Sequence, residues 1–399
     1  MKKVAVIGGG PSGMIAAYFA AKKNNVELFE QNEKLGKKLY ITGKGRCNIT
    51  NDKDISEFFD EISRNEKFLY SAFYSFTNRD LISLLKENGL DTIVERGGRV
   101  FPKSQKSSDV IKTYEKMLKK NAVKVHLNHK ITNIAKKDDI FTLNDTMEFD
   151  SVIIATGGYS YRSTGSTGDG YKFAKHFGIK VEELRPALVP VELEDDFLDR
   201  LSGLTLKNIE LIAKSGKKEI HREFGELLFA HFGISGPVAL RMSNIINRKE
   251  NINLFIDLKP ALDQKTLDDR ILRDFHEFTN KNIDNGLTKL LPKNLIPVVL
   301  ELSDIDPQKT INEITKEERL SLVKTIKNMP LKYKSLMDIN ASIVTSGGIS
   351  TEEINPSTMQ SLKIPNLYFC GEVIDVEGFT GGFNLQIANS TGYLAGISV

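Results

Sequence analysis

An α/β fold with a mostly parallel sheet is predicted by three features of this 399-residue chain. Val4-Ala5-Val6-Ile7 and Val26-Glu27-Leu28-Phe29 are short apolar runs of the kind buried in parallel sheets. Between them, Ser12 to Lys23 carries small and apolar residues suited to a helix pressed on a sheet, which completes a right-handed βαβ unit. Far along the chain, Ser151-Val152-Ile153-Ile154-Ala155 and Asn366-Leu367-Tyr368-Phe369 read as further buried strands, each running into glycine.

The other elements follow from local signals. Asn78 is expected to cap a helix with Leu81, Ile82, Leu84 and Leu85 on one side, ended by Gly89. Asp91 to Pro102 reads as a hairpin around Gly97-Gly98. Ser108 opens a helix that finishes in Lys119-Lys120, a favourable end for cations. Short strands are expected at 123–127, 131–135, 141–143 and 147–149. Character changes near Pro186 and Pro190: strands follow over 204–212 and 254–258, then a helix-rich stretch. A last helix is expected from Gly382 to Ala395.

With ~100–200 residues per domain, two or three domains are expected. The plan is one domain made of both chain ends, residues 1–190 and 337–399. It is interrupted by a β-rich insert, residues 191–258 and about 329–336, and by a helical insert, residues 259–328.

Composition narrows the partners. Lys and Arg number 55 against 52 Asp and Glu, a formal charge of +3, so no nucleic acid or anionic membrane is expected as partner. Two cysteines, Cys47 and Cys370, make neither a disulfide framework nor a zinc site, and no other metal site is read. No apolar run approaches the ~20 residues that span a bilayer. The chain opens directly on a strand rather than on a leader, so a cytoplasmic location is expected. Oligomeric state is not legible.

Gly8-Gly9-Gly10-Pro11-Ser12-Gly13 matches G-x-G-x-x-G in the context that motif requires, after a strand and opening a helix. Gly8 permits the tight turn, Gly10 lets backbone approach a diphosphate, and Gly13 lets helix lie close on strand. Pro11 and Ser12 begin the helix, whose unpaired N–H groups and partial positive charge suit an anion. Glu30 ends the second strand, placed to accept hydrogen bonds from ribose hydroxyls, with Gln31 beside it. Together these define a dinucleotide site.

The strand 151–155 leading into Thr156-Gly157-Gly158, and the late strand ending in Gly371-Glu372, resemble FAD proteins of the glutathione-reductase-like superfamily. That resemblance implies a Rossmann-type FAD-binding domain, three-layered, with Glu372 on the ribityl hydroxyls and Ile131, in its strand, offering backbone to the adenine. The run Leu35-Gly36-Lys37-Lys38-Leu39-Tyr40-Ile41-Thr42-Gly43-Lys44-Gly45-Arg46-Cys47-Asn48-Ile49-Thr50-Asn51 is similar to a bacterial BaiN-like, or aminoacetone-oxidase-like, flavoprotein family. So are the stretches Glu226–Pro237, Thr345–Ile349, Gly371–Asp375 and Gly381–Gln386, so the likeness covers the chain from end to end. It implies FAD together with the inserted β-rich and helical parts, and adds Lys38, Gly43 and Gly45 to the cofactor residues.

Physically, the small residues of Thr42–Asn48 suit a backbone passing closely over a flat ring. Arg46 and Cys47 are the candidate catalytic residues, Arg46 as a cation for reduced flavin or an anionic substrate. The helix after Gly381-Gly382 would set Asn384 and Leu385 against the pyrimidine edge of the ring by their backbone. Thr167-Gly168-Asp169-Gly170 resembles a turn beside the cofactor in fumarate-reductase-type flavoproteins, whose attachment histidine has no counterpart here, so FAD is expected to be non-covalent. His231 reads as a structural histidine.

Without C-x-x-C the chain is no dithiol reductase, and without a second G-x-G-x-x-G any nicotinamide binds transiently. The expected activity is hydride transfer between FAD and a small organic substrate, with NADH or NADPH reducing the flavin and an activated double bond accepting the hydride. The alternatives are a flavin oxidase of small amines or ketones, and an FAD protein acting on RNA or on a protein.

Overall fold

The computed structural model describes residues 1–399, which form two compact units: residues 1–187 with 339–399, and residues 188–338. The first unit is built on a five-stranded parallel sheet. Its strands are β1 (Lys3–Ile7), β2 (Asn25–Phe29), β3 (Lys124–His126), β4 (Ser151–Ile154) and β5 (Leu367–Phe369). Their spatial order is β5-β4-β1-β2-β3, so a strand from the far end of the chain closes one edge. β1, β4 and β5 are almost wholly apolar and buried, as a strand covered on both faces must be.

Four helices matter for the site: α1 (Pro11–Ala20), α2 (Lys37–Gly45), α3 (Ser107–Lys120) and α4 (Phe383–Ser398). α1 packs on α3 and α4 against the sheet. The α1–α4 crossing is close because glycine leaves room for it. A Cβ at Gly392 would lie 2.4 Å from the Ser12 carbonyl oxygen, and one at Gly396 would lie 2.5 Å from that of Ala16. A three-stranded antiparallel sheet, Ile134–Lys137, Ile140–Leu143 and Met147–Phe149, packs against β1 and β4 as the third layer. Phe149 meets Phe29 edge-on within this core.

Several local expectations shift. Thr77, not Asn78, caps its helix: the Thr77 hydroxyl accepts from the Asp80 N–H, and the Asp80 carboxylate answers to the Thr77 N–H. Asn78 instead turns its amide inward, donating to the carbonyls of Asn51 and Lys53 at 2.7 and 2.9 Å. α3 starts at Ser107 rather than Ser108. Ile131 is not in a strand; the next one begins at Ile134, and Ile131 is a buried residue of the connection before it.

The second unit contains a seven-stranded sheet whose long hairpin pairs Thr205–Ser215 with Lys218–Ala230. Helices Gln264–Glu277, Ile296–Leu302 and Lys316–Lys327 share one apolar core with that sheet, reaching from Leu211 and Phe229 to Leu267, Val299 and Leu322. His231 is exposed in this unit, edge-on to Phe232.

Candidate functional site

The C-terminal ends of β1, β2, β4 and β5 converge at the start of α1, where the residues singled out by sequence gather. Gly8 has φ +111°, and a Cβ there would meet the Ala155 carbonyl oxygen at 2.4 Å. A Cβ at Gly13 would lie 1.9 Å from the Gly8 carbonyl oxygen, so only glycine lets α1 approach β1 this closely. Gly10 is different: a Cβ built there meets nothing within 4 Å. The N-cap of α1 is Gly10 itself, with no side chain bonding the first N–H groups. An uncapped helix start under open space is an anion site in form.

Glu30 borders this turn. One carboxylate oxygen accepts from the Gly9 N–H at 2.8 Å, and the other accepts from the Asn32 N–H and side-chain amide at 2.9 and 2.7 Å. Gln31 and Asn32 donate to the carbonyls of Gly165 and Thr164 at 2.6 and 3.1 Å, which holds the 164–167 turn over the end of β2. Asp169, just beyond, is bound by Thr167, Lys172 and Lys130. Burial pushes its carboxyl up, but these donors outweigh burial and hold it below the usual range.

At the opposite end of the turn, Gly371 (φ +77°) brings the end of β5 against α1; a Cβ there would be 2.4 Å from Ser12 Oγ. Glu372 follows. Its carboxylate receives Lys38 Nζ at 2.7 and 2.9 Å, the Thr345 N–H at 3.0 Å and the Ser160 hydroxyl at 3.4 Å. It sits tightly over Gly158, where a Cβ would be 2.7 Å from Glu372 Oε1. Sequence reading placed Lys38 and Glu372 in one site without foreseeing that they pair with each other. Ser160 and Thr345 were missed as members. Thr345 lies in a stretch of family likeness, a signal that pointed to the segment but not to the bond.

The segment Thr42–Asn48 leaves the helix sharply. Thr42 turns extended, Gly43 and Lys44 are left-handed, and Gly45 and Cys47 also have positive φ, +81° and +62°. Arg46 Nη1 binds Glu95 and Gln105, each at 2.9 Å, and the guanidinium lies 4.2 Å over the Phe101 ring. It is thereby anchored to the hairpin of Thr92–Glu95 and Arg99–Pro102. Cys47 is fully buried and its thiol is pushed up to about 12, by burial above all, with the Thr42 hydroxyl opposing. A thiol so placed stays protonated near neutral pH. Cys370 is raised to about 12 for the same reason, with the Ser12 hydroxyl opposing.

The start of α4 closes the arrangement. Its N-cap, Gly382, is left-handed (φ +103°), and a Cβ there would strike the Thr50 carbonyl oxygen at 2.3 Å. Asn51 donates to the Gly381 carbonyl at 3.0 Å. The Asn384 side chain pins the preceding loop, donating to the Gly378 carbonyl at 2.7 Å and accepting from the Gly378 N–H at 2.9 Å. The side chain of Asn384 is thus spent on the loop, and the backbone N–H groups of Phe383, Asn384 and Leu385 remain at the uncapped start of the helix. A further pair escaped sequence reading: Arg64 grips buried Asp375 through Nε and Nη2 at 2.5 and 2.7 Å, with Asn65 also on that carboxylate.

Two buried oxygens have no partner here, Asn48 Oδ1 and Thr156 Oγ1. Both belong to segments that border the Gly8–Gly13 turn or the glycine-rich loop. Orphan acceptors, two uncapped helix starts and the clear space over Gly10 fit a long ligand with a diphosphate at one helix and a polar flat ring at the other. The fold and site therefore define a Rossmann-type flavin-dependent oxidoreductase.

Residues 2–398 match the family described as the HI0933-like protein Rossmann domain. The chain belongs to this family of FAD-dependent oxidoreductases. It is 30% identical over 407 residues to a 3-dehydro-bile acid Δ(4,6)-reductase of Clostridium scindens, spanning 99% of this chain and 98% of that one. It is 31% identical over 404 residues to a ribosomal RNA dihydrouridine synthase of Haemophilus influenzae, spanning 99% and 97%. Among solved structures it resembles a 3-ketosteroid Δ1-dehydrogenase of Sterolibacterium denitrificans. There the TM-score is 0.53, with 13% identity and 99% of both chains covered, a likeness of fold.

Proposed function

We propose that the chain uses FAD to deliver hydride to a carbon–carbon double bond conjugated with a carbonyl, with NADH or NADPH as donor. The observation that carries this reading is the chemistry shared by its relatives' names. A 3-dehydro-bile acid Δ(4,6)-reductase saturates an alkene conjugated to a ketone, and a dihydrouridine synthase saturates the uracil alkene conjugated to C4=O. The two substrates differ in size and shape, but each presents a carbon made electrophilic by conjugation with a carbonyl.

In this reading Gly10, Pro11, Ser12 and Gly13 hold the diphosphate at the start of α1, and Glu30 accepts from the ribose hydroxyls with Gln31 beside it. Ile131 meets the adenine by its backbone. Glu372, oriented by Lys38 and Thr345, serves the ribityl hydroxyls, flanked by Thr156, Gly157 and Gly158. Gly43 and Gly45 let the loop pass close to the ring, and Asp169 fixes the neighbouring turn through Lys130 and Thr167. When bound, FAD supplies a two-electron store that takes hydride from one partner and gives it to another. The start of α4, through the Asn384 and Leu385 N–H groups, lends partial positive charge where negative charge collects on reduction. A cytoplasmic setting, where nicotinamide donors are found, belongs to the same reading; no helix is long and apolar enough to cross a membrane.

The name of the Haemophilus relative favours a second reading, in which the reducible bond is a uracil within RNA. One experiment addresses both. The protein is reduced anaerobically with NADH or NADPH, then offered a 3-keto-Δ4 steroid or a uridine-containing RNA while the visible flavin band is followed. Return of the band with either supports double-bond reduction and selects the substrate. Return with oxygen alone makes the chain an oxidase and overturns the reading.

A further inference from the structure

Residues 34–46 and 95–106 contain nine Lys and Arg against a single carboxylate, Glu95, in a chain whose overall formal charge is +3. The fold brings these two segments together. The Ile49 N–H donates to the Val100 carbonyl at 2.8 Å, Ser107 Oγ donates to the Tyr40 carbonyl at 2.7 Å, and Arg46 lies on Phe101. Lys37 and Lys38 are taken up by Glu33 and Glu372. Glu95 is shared by Arg46 at 2.9 Å and Arg99 at 3.8 Å. That leaves exposed Lys44, Arg96, Lys103 and Lys106 without an ion pair, with Lys34 resting 5.3 Å over the Tyr40 ring. Tyr40 and Ile41, on the first of these segments, are 49% and 44% exposed, and the Tyr40 carbonyl is held by Ser107 next to Lys106.

A run of lysines is ordinarily a solvated surface. Three things set this face apart. Its cations come from segments far apart in sequence, so folding has gathered like charges at an electrostatic cost. An aromatic ring stands exposed among them, the combination that suits unpaired nucleotides. The face is also continuous with the Thr42–Asn48 loop, through Lys44 and Arg46, and that loop borders the flavin site. The expectation of no nucleic-acid partner rested on charge averaged over the chain, which hides this clustering.

We propose that this face binds the phosphodiester backbone of single-stranded RNA and leads a base toward the flavin. The proposal rests on the reading in which a uracil within RNA is the substrate. Phosphate contacts from Arg96, Arg99 and Lys103 on the hairpin and from Lys44 on the loop hold the strand, and Tyr40 offers a stacking surface.

The test uses the full-length, FAD-loaded protein and a uridine-rich single-stranded RNA, with affinity followed by fluorescence anisotropy as salt is raised. Each phosphate contact contributes about −0.7 to the slope of log affinity against log salt, so four give roughly −3. The R96Q/R99Q/K103Q variant leaves the flavin-site residues intact. It is expected to keep its flavin spectrum and melting temperature, to bind RNA at least tenfold more weakly, and to lose about 2 from that slope. A variant that binds RNA as tightly as the parent, with the same slope, overturns the proposal. So does a parent that binds phosphatidylglycerol vesicles and not RNA. Reoxidation of the reduced flavin is read separately. RNA that binds through this face without reoxidising the flavin sinks the substrate reading alone. RNA that reoxidises parent and variant equally at sub-saturating concentration sinks the surface.

Discussion

Replacing Gly10 by valine should separate FAD binding from folding. Gly10 caps α1 in extended backbone, φ −78° and ψ 178°, which any residue adopts, and a Cβ there meets no atom within 4 Å. The cost to the fold is then that of exchanging a good N-cap for a poor one, about 1 kcal/mol. The cost to the cofactor is larger. An isopropyl group over Gly10 fills the approach to the start of α1 and displaces charge-assisted hydrogen bonds worth about 1.5–3 kcal/mol each. Losing two of them removes roughly 3–6 kcal/mol, or about 10²–10⁴-fold in Kd. Gly13→Ala is the opposite case. Its Cβ would lie 1.9 Å from a backbone oxygen, so the fold itself suffers, by at least the ~1–3 kcal/mol typical of overpacking. Thermal melts of both apoproteins and an FAD titration by fluorescence quenching distinguish the two effects. A Gly10→Val protein that binds FAD like the parent, or that melts as low as Gly13→Ala, would refute the placement of the diphosphate.

Glu30→Ala should lower FAD content in the purified protein and, by orphaning the Gly9 and Asn32 N–H groups, cost about 1–3 kcal/mol in urea unfolding; full flavin retention would show that Glu30 faces no ribose. Arg64→Ala strands the Asp375 carboxylate, 2% exposed, and should destabilise by about 3–5 kcal/mol, with Arg64→Lys recovering part; an unchanged denaturation midpoint would contradict the pairing. Both cysteines should resist Ellman's reagent at pH 8 until denaturant is added. Their folded thiols are raised from about 9 to about 12, so the stability this implies is present below the ordinary thiol value and is lost as the pH climbs toward 12. Rapid labelling of either thiol in the folded protein would sink that assignment.

What could be read in advance was whatever local rules dictate. The Gly8–Gly13 turn, the buried runs of β1 and β2 and the acid at the end of β2 are short-range patterns, and each adopts the conformation its residues require. β5 was legible as a strand, and the likeness to flavoproteins placed it in the same sheet as β4, which the register of Ile153 with Tyr368 now bears out. Side-chain partners were not legible where they depend on residues brought together only by folding. Lys38 and Glu372 are 334 positions apart, and Arg64 and Asp375 are 311 apart. The partners of Arg46 were hidden for the same reason, because nothing in its neighbourhood along the chain announced Glu95 or Phe101. Ile131 failed as a strand residue for a different reason: a β-branched residue three positions before the strand that opens at Ile134 reads as part of it, whereas burial without pairing satisfies it equally well.

The most direct test of the central claim is the visible absorbance spectrum of the purified protein, with the flavin released by heat and identified. The account predicts a yellow protein that releases FAD on denaturation, without protease, and whose colour bleaches when NADH or NADPH is added in the absence of oxygen. A colourless protein that takes up no added FAD would contradict it.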